Sequence, residues 1–170
     1  SRGGPGQTLG INKPDITAPG VNILAGHTPM PATIAGGAPG QLFQVIAGTS
    51  MSSPHIAGAG ALLKALHPDW TPAQIKSALM TTAWLDGVVK EDGVTPVDPF
   101  DVGSGRVDLN KAGQPGLTFN VSGADYLALE NELWNANYPS LYVPVMPGQI
   151  TVQRTVHNET NKATSWRLTF

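Results

Sequence analysis

Apolar positions along this chain follow three rhythms. Leu42-Phe43-Gln44-Val45-Ile46-Ala47 is a short apolar run with strand character, and Val21-Asn22-Ile23-Leu24-Ala25 is another. Ala57, Ala61, Leu62, Ala65 and Leu66 recur at helical spacing and predict a helix from about 51 to 66. His67-Pro68 stops it, because the residue before a proline avoids the helical region. Thr71-Pro72 opens a second helix, with Thr71 as N-cap and Pro72 at the first helical position. Ala73, Ile75, Ala78, Leu79 and Thr82 carry it to about 83. From Leu141 the period falls to two. Residues 141–145, 150–156 and 165–170 read as strands, with a turn over 157–161. In the second of them Ile150, Val152, Arg154 and Val156 face one way, and Thr151, Gln153 and Thr155 the other.

Between these elements the chain reads as loop. Gly3-Gly4-Pro5-Gly6 and Gly36-Gly37-Ala38-Pro39-Gly40 are breakers, and 28–40 is a surface loop. Residues 86–101 form an irregular acidic stretch, Asp108–Ala112 a short helix, Gly113–Gly116 a break, and 125–133 a helical turn or two.

Bulk properties narrow the classes. The 170 residues are 41% hydrophobic and 13% charged, with a formal net charge of -2. That supplies a core for about one domain. There is no basic run, so nucleic acid is not an expected partner. No apolar stretch reaches the roughly 18 residues of a membrane span. The absence of cysteine removes disulfides and thiolate metal sites.

The candidate chemistry lies at Gly48-Thr49-Ser50-Met51, between the strand and the small-residue helix. Free N–H groups and the positive dipole end favour developing negative charge at a helix N-terminus. A nucleophilic serine needs that environment. A serine in this place also serves as an ordinary N-cap, and on the residues alone the cap is the stronger reading. Thr49 and Met51, on either side of Ser50, are the candidate substrate-binding residues. Met51 fits ordinary core equally well.

The stretch from Gly48 to Leu63 resembles the segment around the reactive serine of the subtilisin-like serine proteases. Residues 64–83 resemble the two helices that follow it. Ser1-Arg2-Gly3-Gly4-Pro5 and Lys13-Pro14-Asp15-Ile16-Thr17-Ala18-Pro19-Gly20 resemble the loop and strand before it. Gly103-Ser104-Gly105-Arg106-Val107-Asp108 and Asn137-Tyr138-Pro139-Ser140 fit the large multidomain branch with the cucumisin- and pyrolysin-type enzymes. Four motifs in the right order turn the balance at Ser50 toward the nucleophile.

The resemblance implies an α/β fold: 1–115 as the C-terminal part of a three-layer parallel-sheet peptidase domain, 116–140 as a linker with a short helix, and 141–170 as the first strands of an incomplete fibronectin-III-like sandwich. It implies a serine endopeptidase acting on proteins or peptides, secreted or displayed at the cell surface. Plant members of the branch usually carry cysteine where Ser53 stands, which points to a bacterial source. The order of the triad is Asp, His, Ser, so both partners and the oxyanion asparagine are expected upstream, in the missing N-terminal part of the domain. The chain alone is then expected to be inactive and to self-associate through faces its missing half would cover.

His27, His55, His67 and His157 are assigned structural or solvated roles, His55 because it points away from Ser50. Asp98, Asp101 and Asp108 lack the regular oxygen spacing of a calcium loop and read as turn residues or caps. No cofactor or metal is assigned to this chain, although calcium stays open for the parent protein. Gly58 and Gly60 are expected to admit close packing of the helix on a central sheet. Two rival readings remain: a catalytically dead relative kept as a binding or scaffold module, and an adhesion domain built on the strands after 141.

Overall fold

The computed structural model describes residues 2–4, 10–33 and 36–167. The predicted breaker at Pro5-Gly6 and the end of the last predicted strand, 168–170, lie outside them. The chain divides into two compact units, one spanning 18–59 and the other 2–17 with 60–170.

In the first unit, β1 (Ile23–Gly26) and β2 (Phe43–Ile46) pair antiparallel, with Ile23 opposite Ile46 and Gly26 opposite Phe43. Both strands fall on the predicted apolar runs. Ile23, Ala25, Gln44 and Ile46 share a half-buried face, while Leu24, Phe43 and Val45 stand 67%, 65% and 58% exposed on the other. Two residues later α1 begins (Thr49–Leu66).

In the second unit the end of α1 is closed by its own sequence. The Lys64 ammonium donates to the carbonyls of Pro68 (2.6 Å) and Trp70 (2.8 Å), and the His67 ring stacks on Trp70 at 3.7 Å. The predicted cap is present at α2 (Pro72–Thr81). Thr71 Oγ1 accepts from the Gln74 amide, and the Gln74 side chain accepts from the Thr71 amide. Ser77, Ala78, Leu79 and Met80 of α2 are buried. A short helix, α3 (Pro99–Val102), capped by Asp98, begins within the stretch read as irregular and ends one residue past it. Asp108 caps α4 (Leu109–Ala112). Asp101 is an ion-pair partner of Arg2 (3.1 Å) and Lys90 (3.1 Å). α2 packs against α4 and β3 (Leu117–Thr118), where the Phe119 amide donates to the buried Ser77 Oγ at 2.8 Å. Helix α5 (Gly123–Ala128) and a 3₁₀ turn (Leu133–Asn135) fill the predicted helical stretch. A core cluster of Met80, Ala136 and Tyr138 is flanked by Ile11, Val121, Tyr126 and Leu129.

Two expectations change. Both ladders among the described residues are antiparallel pairs, and parallel pairing is limited to a single bridge between Thr17 and Arg106. The strands read at 141–145 and 150–156 form no ladder. Pairing occurs instead at β4 (His157–Asn158), where a turn was expected, against β3. The reason lies in the side chains. Asn137 Oδ1 accepts from the Thr155 amide (2.8 Å), and Asn137 Nδ2 donates to the Thr155 carbonyl (2.8 Å). The Arg154 guanidinium donates to the carbonyls of Trp134 (2.8 Å), Tyr138 (3.0 Å) and Gln153 (3.0 Å). These backbone groups are satisfied without a neighbouring strand. The alternation survives as burial from 150 to 155: Ile150, Val152 and Arg154 are half-buried, and Thr151, Gln153 and Thr155 are exposed; Val156, expected on the first face, is exposed as well.

Asp15 anchors the second unit. Its carboxylate accepts from Tyr138 Oη, from Lys13 Nζ (2.7 Å) and from Lys76 Nζ (3.1 Å). The Lys76 ammonium also lies 4.6 Å from the centre of the Tyr138 ring. Burial works to raise the Asp15 pKa, but the hydrogen bonds from Lys13 and Tyr138 and the charge of Lys76 outweigh it and hold the carboxyl below its ordinary 3.8. Burial, reinforced by Asp15, pushes the Tyr138 phenol well above its usual range. Because Asp15 binds its proton more weakly folded than unfolded, its stabilisation is complete above the ordinary carboxylate range and fades as pH falls through the folded value. Tyr138→Phe removes one donor to an ionised, half-buried group. It is expected to cost about 1–2 kcal/mol in urea unfolding at neutral pH. It should also shrink the stability lost between about pH 5 and pH 2, since Asp15 then titrates closer to normal.

Candidate functional site

Ser50 is the second residue of α1 and is exposed. Gly48 precedes the helix at φ 156°, a conformation that side chains disfavour. Its carbonyl accepts from the amides of Met51 (3.0 Å) and Ser52 (3.4 Å), which starts the helix. Its amide donates to the Gly20 carbonyl at 2.7 Å. Ser52 Oγ donates to the Ala18 carbonyl at 3.0 Å. The backbone of 18–20 therefore lies against the first turn of α1. It lies so close that a β-carbon on Gly20 would overlap Ser52 Oγ and stand 2.8 Å from the Gly48 carbonyl oxygen. Gly20 does not take a positive φ, so glycine serves space here rather than conformation.

Among the described residues, the amides of Thr49 and Ser50 make no hydrogen bond, and the Ser50 hydroxyl has no side-chain partner. Pro54 lies inside α1 and has no N–H, so the Ser50 carbonyl lacks its intrahelical donor. The arrangement offers an exposed hydroxyl next to two unengaged amides at the positive end of an 18-residue helix. That suits a nucleophile whose reaction generates an oxyanion, and among the described residues no basic side chain is hydrogen-bonded to the hydroxyl. Thr49 is exposed and Met51 half-buried beside Ser50. The histidines are engaged elsewhere. His55 Nδ1 bonds the Met51 carbonyl (2.8 Å), His27 Nδ1 the Gln41 carbonyl (3.1 Å), His67 Nε2 the Gly113 carbonyl (2.9 Å) and His157 Nδ1 the Glu159 carboxylate (3.1 Å). No three His, Asp or Glu side chains among the described residues gather to hold a metal.

Residues 1–122 match the profile of the Subtilase family, Peptidase_S8. The chain belongs to this family. It is 39% identical to the Arabidopsis thaliana subtilisin-like protease SBT5.4 over 93% of its own length and 24% of the relative's. Against SBT1.7 of the same plant, identity is 46% over 82% of this chain and 19% of that one. The crystal structure of fervidolysin from Fervidobacterium pennivorans covers 68% of this chain and 16% of its own, at 30% identity and a TM-score of 0.42. The chain thus spans about a quarter of the length of the curated relatives it matches. These curated relatives are plant proteins, so the bacterial source suggested by Ser53 finds no support.

For a subtilase chain, two residues at this turn escape sequence reasoning. Gly20 and Ser52 touch across 32 positions, and the only local signal is a glycine after Pro19 with no turn to make. The expected packing role of Gly58 and Gly60 is also revised: a β-carbon at either would meet nothing within 4 Å. The two kinds of glycine separate under substitution. Gly48→Ala should lower stability by about 1–2 kcal/mol, because alanine is strained at that φ. Gly58→Ala should raise stability of this chain by up to about 1 kcal/mol through helix propensity. Urea unfolding of both variants, with circular dichroism as the probe, checks the opposite signs.

Proposed function

We propose that this chain supplies the nucleophile of a secreted serine endopeptidase that cleaves proteins or peptides through an acyl-enzyme. One observation carries the proposal: Ser50 stands exposed at the start of α1 with its own amide unengaged, in a chain that belongs to the subtilases. In this reading Ser50 Oγ adds to the scissile carbonyl while a base outside the described residues takes its proton. The Ser50 amide then receives the oxyanion, with Thr49 and Met51 flanking the bound peptide. Collapse expels the amine, which recovers the proton from the base. Water repeats the two steps to release the acid and restore Ser50. In this proposal the base and its orienting acid belong to the remainder of the catalytic domain; the engagement of all four histidines with other groups supports it.

Exposed apolar faces support the same division of labour. Leu24, Phe43 and Val45 of the β1–β2 pair and Leu62 and Leu66 of α1 are all more than half exposed, and the proposed remainder of the domain would cover them. The domain division at 115 and 140 is part of this proposal. Residues 150–156, whose alternation is realised as burial as far as Thr155, would form a first strand of a fibronectin-III-like domain.

Two measurements test it. The isolated chain should not label with a fluorophosphonate probe at Ser50 above a denatured control, whereas the full-length protein should label stoichiometrically and lose labelling in Ser50→Ala. Stoichiometric labelling of the isolated chain would show that a base lies within it and refute the division. Light scattering of the isolated chain should show concentration-dependent self-association through its uncovered faces, and a monomer at high concentration counts against them.

A further inference from the structure

The first turn of α1 is short of bonds where it carries Ser50. The amides of Thr49 and Ser50 are unengaged, and Pro54 leaves the Ser50 carbonyl without its intrahelical donor. Something else must fix the direction of the hydroxyl and of the amide beside it. The segment 18–20 does so from outside the helix. It holds the turn two residues before Ser50, through the Gly48 amide on the Gly20 carbonyl, and two residues after it, through Ser52 Oγ on the Ala18 carbonyl. The Gly20 approach admits no side chain, which keeps both bonds short.

We propose that Ser52 is a positioning residue for Ser50: its hydroxyl, bonded to the Ala18 carbonyl, holds the nucleophile-bearing turn in register with the 18–20 strap. This deepens the peptidase reading given above and rests on it. Ser52 acts through the backbone and touches no substrate. Two bonds that straddle one residue fix both its rotation about the helix axis and its position along it, and a single bond at Gly48 leaves the rotation free. A nucleophile misplaced by about 1 Å loses rate by orders of magnitude, while substrate contacts made elsewhere persist. The loss belongs in kcat rather than KM.

The test uses the full-length protein and counts sites by fluorophosphonate titration, so that misfolded molecules drop out. Ser52→Ala should lower kcat per titrated site about tenfold, leave KM within about twofold, and slow the rate of probe labelling by a similar factor. Equal losses against substrate and probe place the defect at Ser50, because the probe needs no peptide subsites. Ser52→Thr, which keeps the hydroxyl, should restore most of the rate. Gly20→Ala displaces the strap while leaving Ser52 intact, so it should show the same kcat loss, and it decides the matter should Ser52→Ala yield no titratable sites. Wild-type kcat per site in either Ser52→Ala or Gly20→Ala overturns the positioning role while the peptidase reading stands. Full hydrolysis by Ser50→Ala overturns both.

Discussion

Side-chain hydrogen bonds to backbone hold this chain in its shape. The ladders among the described residues are short, four paired positions between β1 and β2 and two between β3 and β4. Buried peptide groups still need partners, because an unpaired one costs as much as a lost hydrogen bond. Arg154 and Lys64 provide them for part-buried carbonyls, and Asn137, Asp98 and Asp108 do the same for exposed groups. Arg154 is the clearest case. One guanidinium reaches carbonyls on Trp134, Tyr138 and Gln153, and its planar fork of five donors makes that geometry available to arginine and not to lysine. Burial lowers its pKa, yet it stays charged, and charged donors make the stronger bonds.

The Asp15 cluster follows the same logic with ions. A half-buried carboxylate is tolerated only when its lone pairs are occupied. Here two ammonium groups and a phenol occupy them. The cost is divided in a readable way: burial pulls Lys76 down and pushes Tyr138 up, and the acid between them ends below its usual range. Asp15, α2 and the 137–140 turn meet at this one point. The Met80–Ala136–Tyr138 core lies directly beneath it, since Tyr138 belongs to both. The phenol thus joins an apolar contact surface to a charge cluster, with ring and hydroxyl serving different neighbours.

What was legible in the sequence was local. Thr71-Pro72 announced α2 because a cap and a fixed φ act within one turn, and Asp108 announced α4 for the same reason. The apolar runs at 21–25 and 42–47 became β1 and β2 within two residues. The segment 150–156 shows the limit. Alternation states which side chains are buried, and it held from Ile150 to Thr155 but failed at the exposed Val156; it carries no information on what bonds the backbone, where Asn137 and Arg154 act. Helix α3 was hidden because four residues give no period, although Asp98-Pro99 carries the same cap-and-proline signal as Thr71-Pro72. Ser50 stands out as a candidate through its motif, whereas the Ala18–Ser52 bond links backbone to side chain over 34 positions and leaves no pattern in the chain.

The turn at Ser50 shows why these last contacts escape. A stable helix start uses its free amides, usually with a side-chain cap. A site that receives an oxyanion must leave them open until the reaction needs them. Gly48 offers no side chain to cap with, Ser50 leaves its own amide unengaged, and Pro54 deletes a further bond, so local stability is given up at residues 48, 50 and 54. The deficit has to be met by groups that do not cover the amides. The 18–20 backbone does this from one side, gripping residues 48 and 52 and leaving 49 and 50 open. A side-chain cap at position 48 would have stabilised the helix more simply and closed the site in doing so. With Ser50 in its proposed role, the need for an open amide accounts for a distant strap, rather than a local cap, as the means of holding this turn.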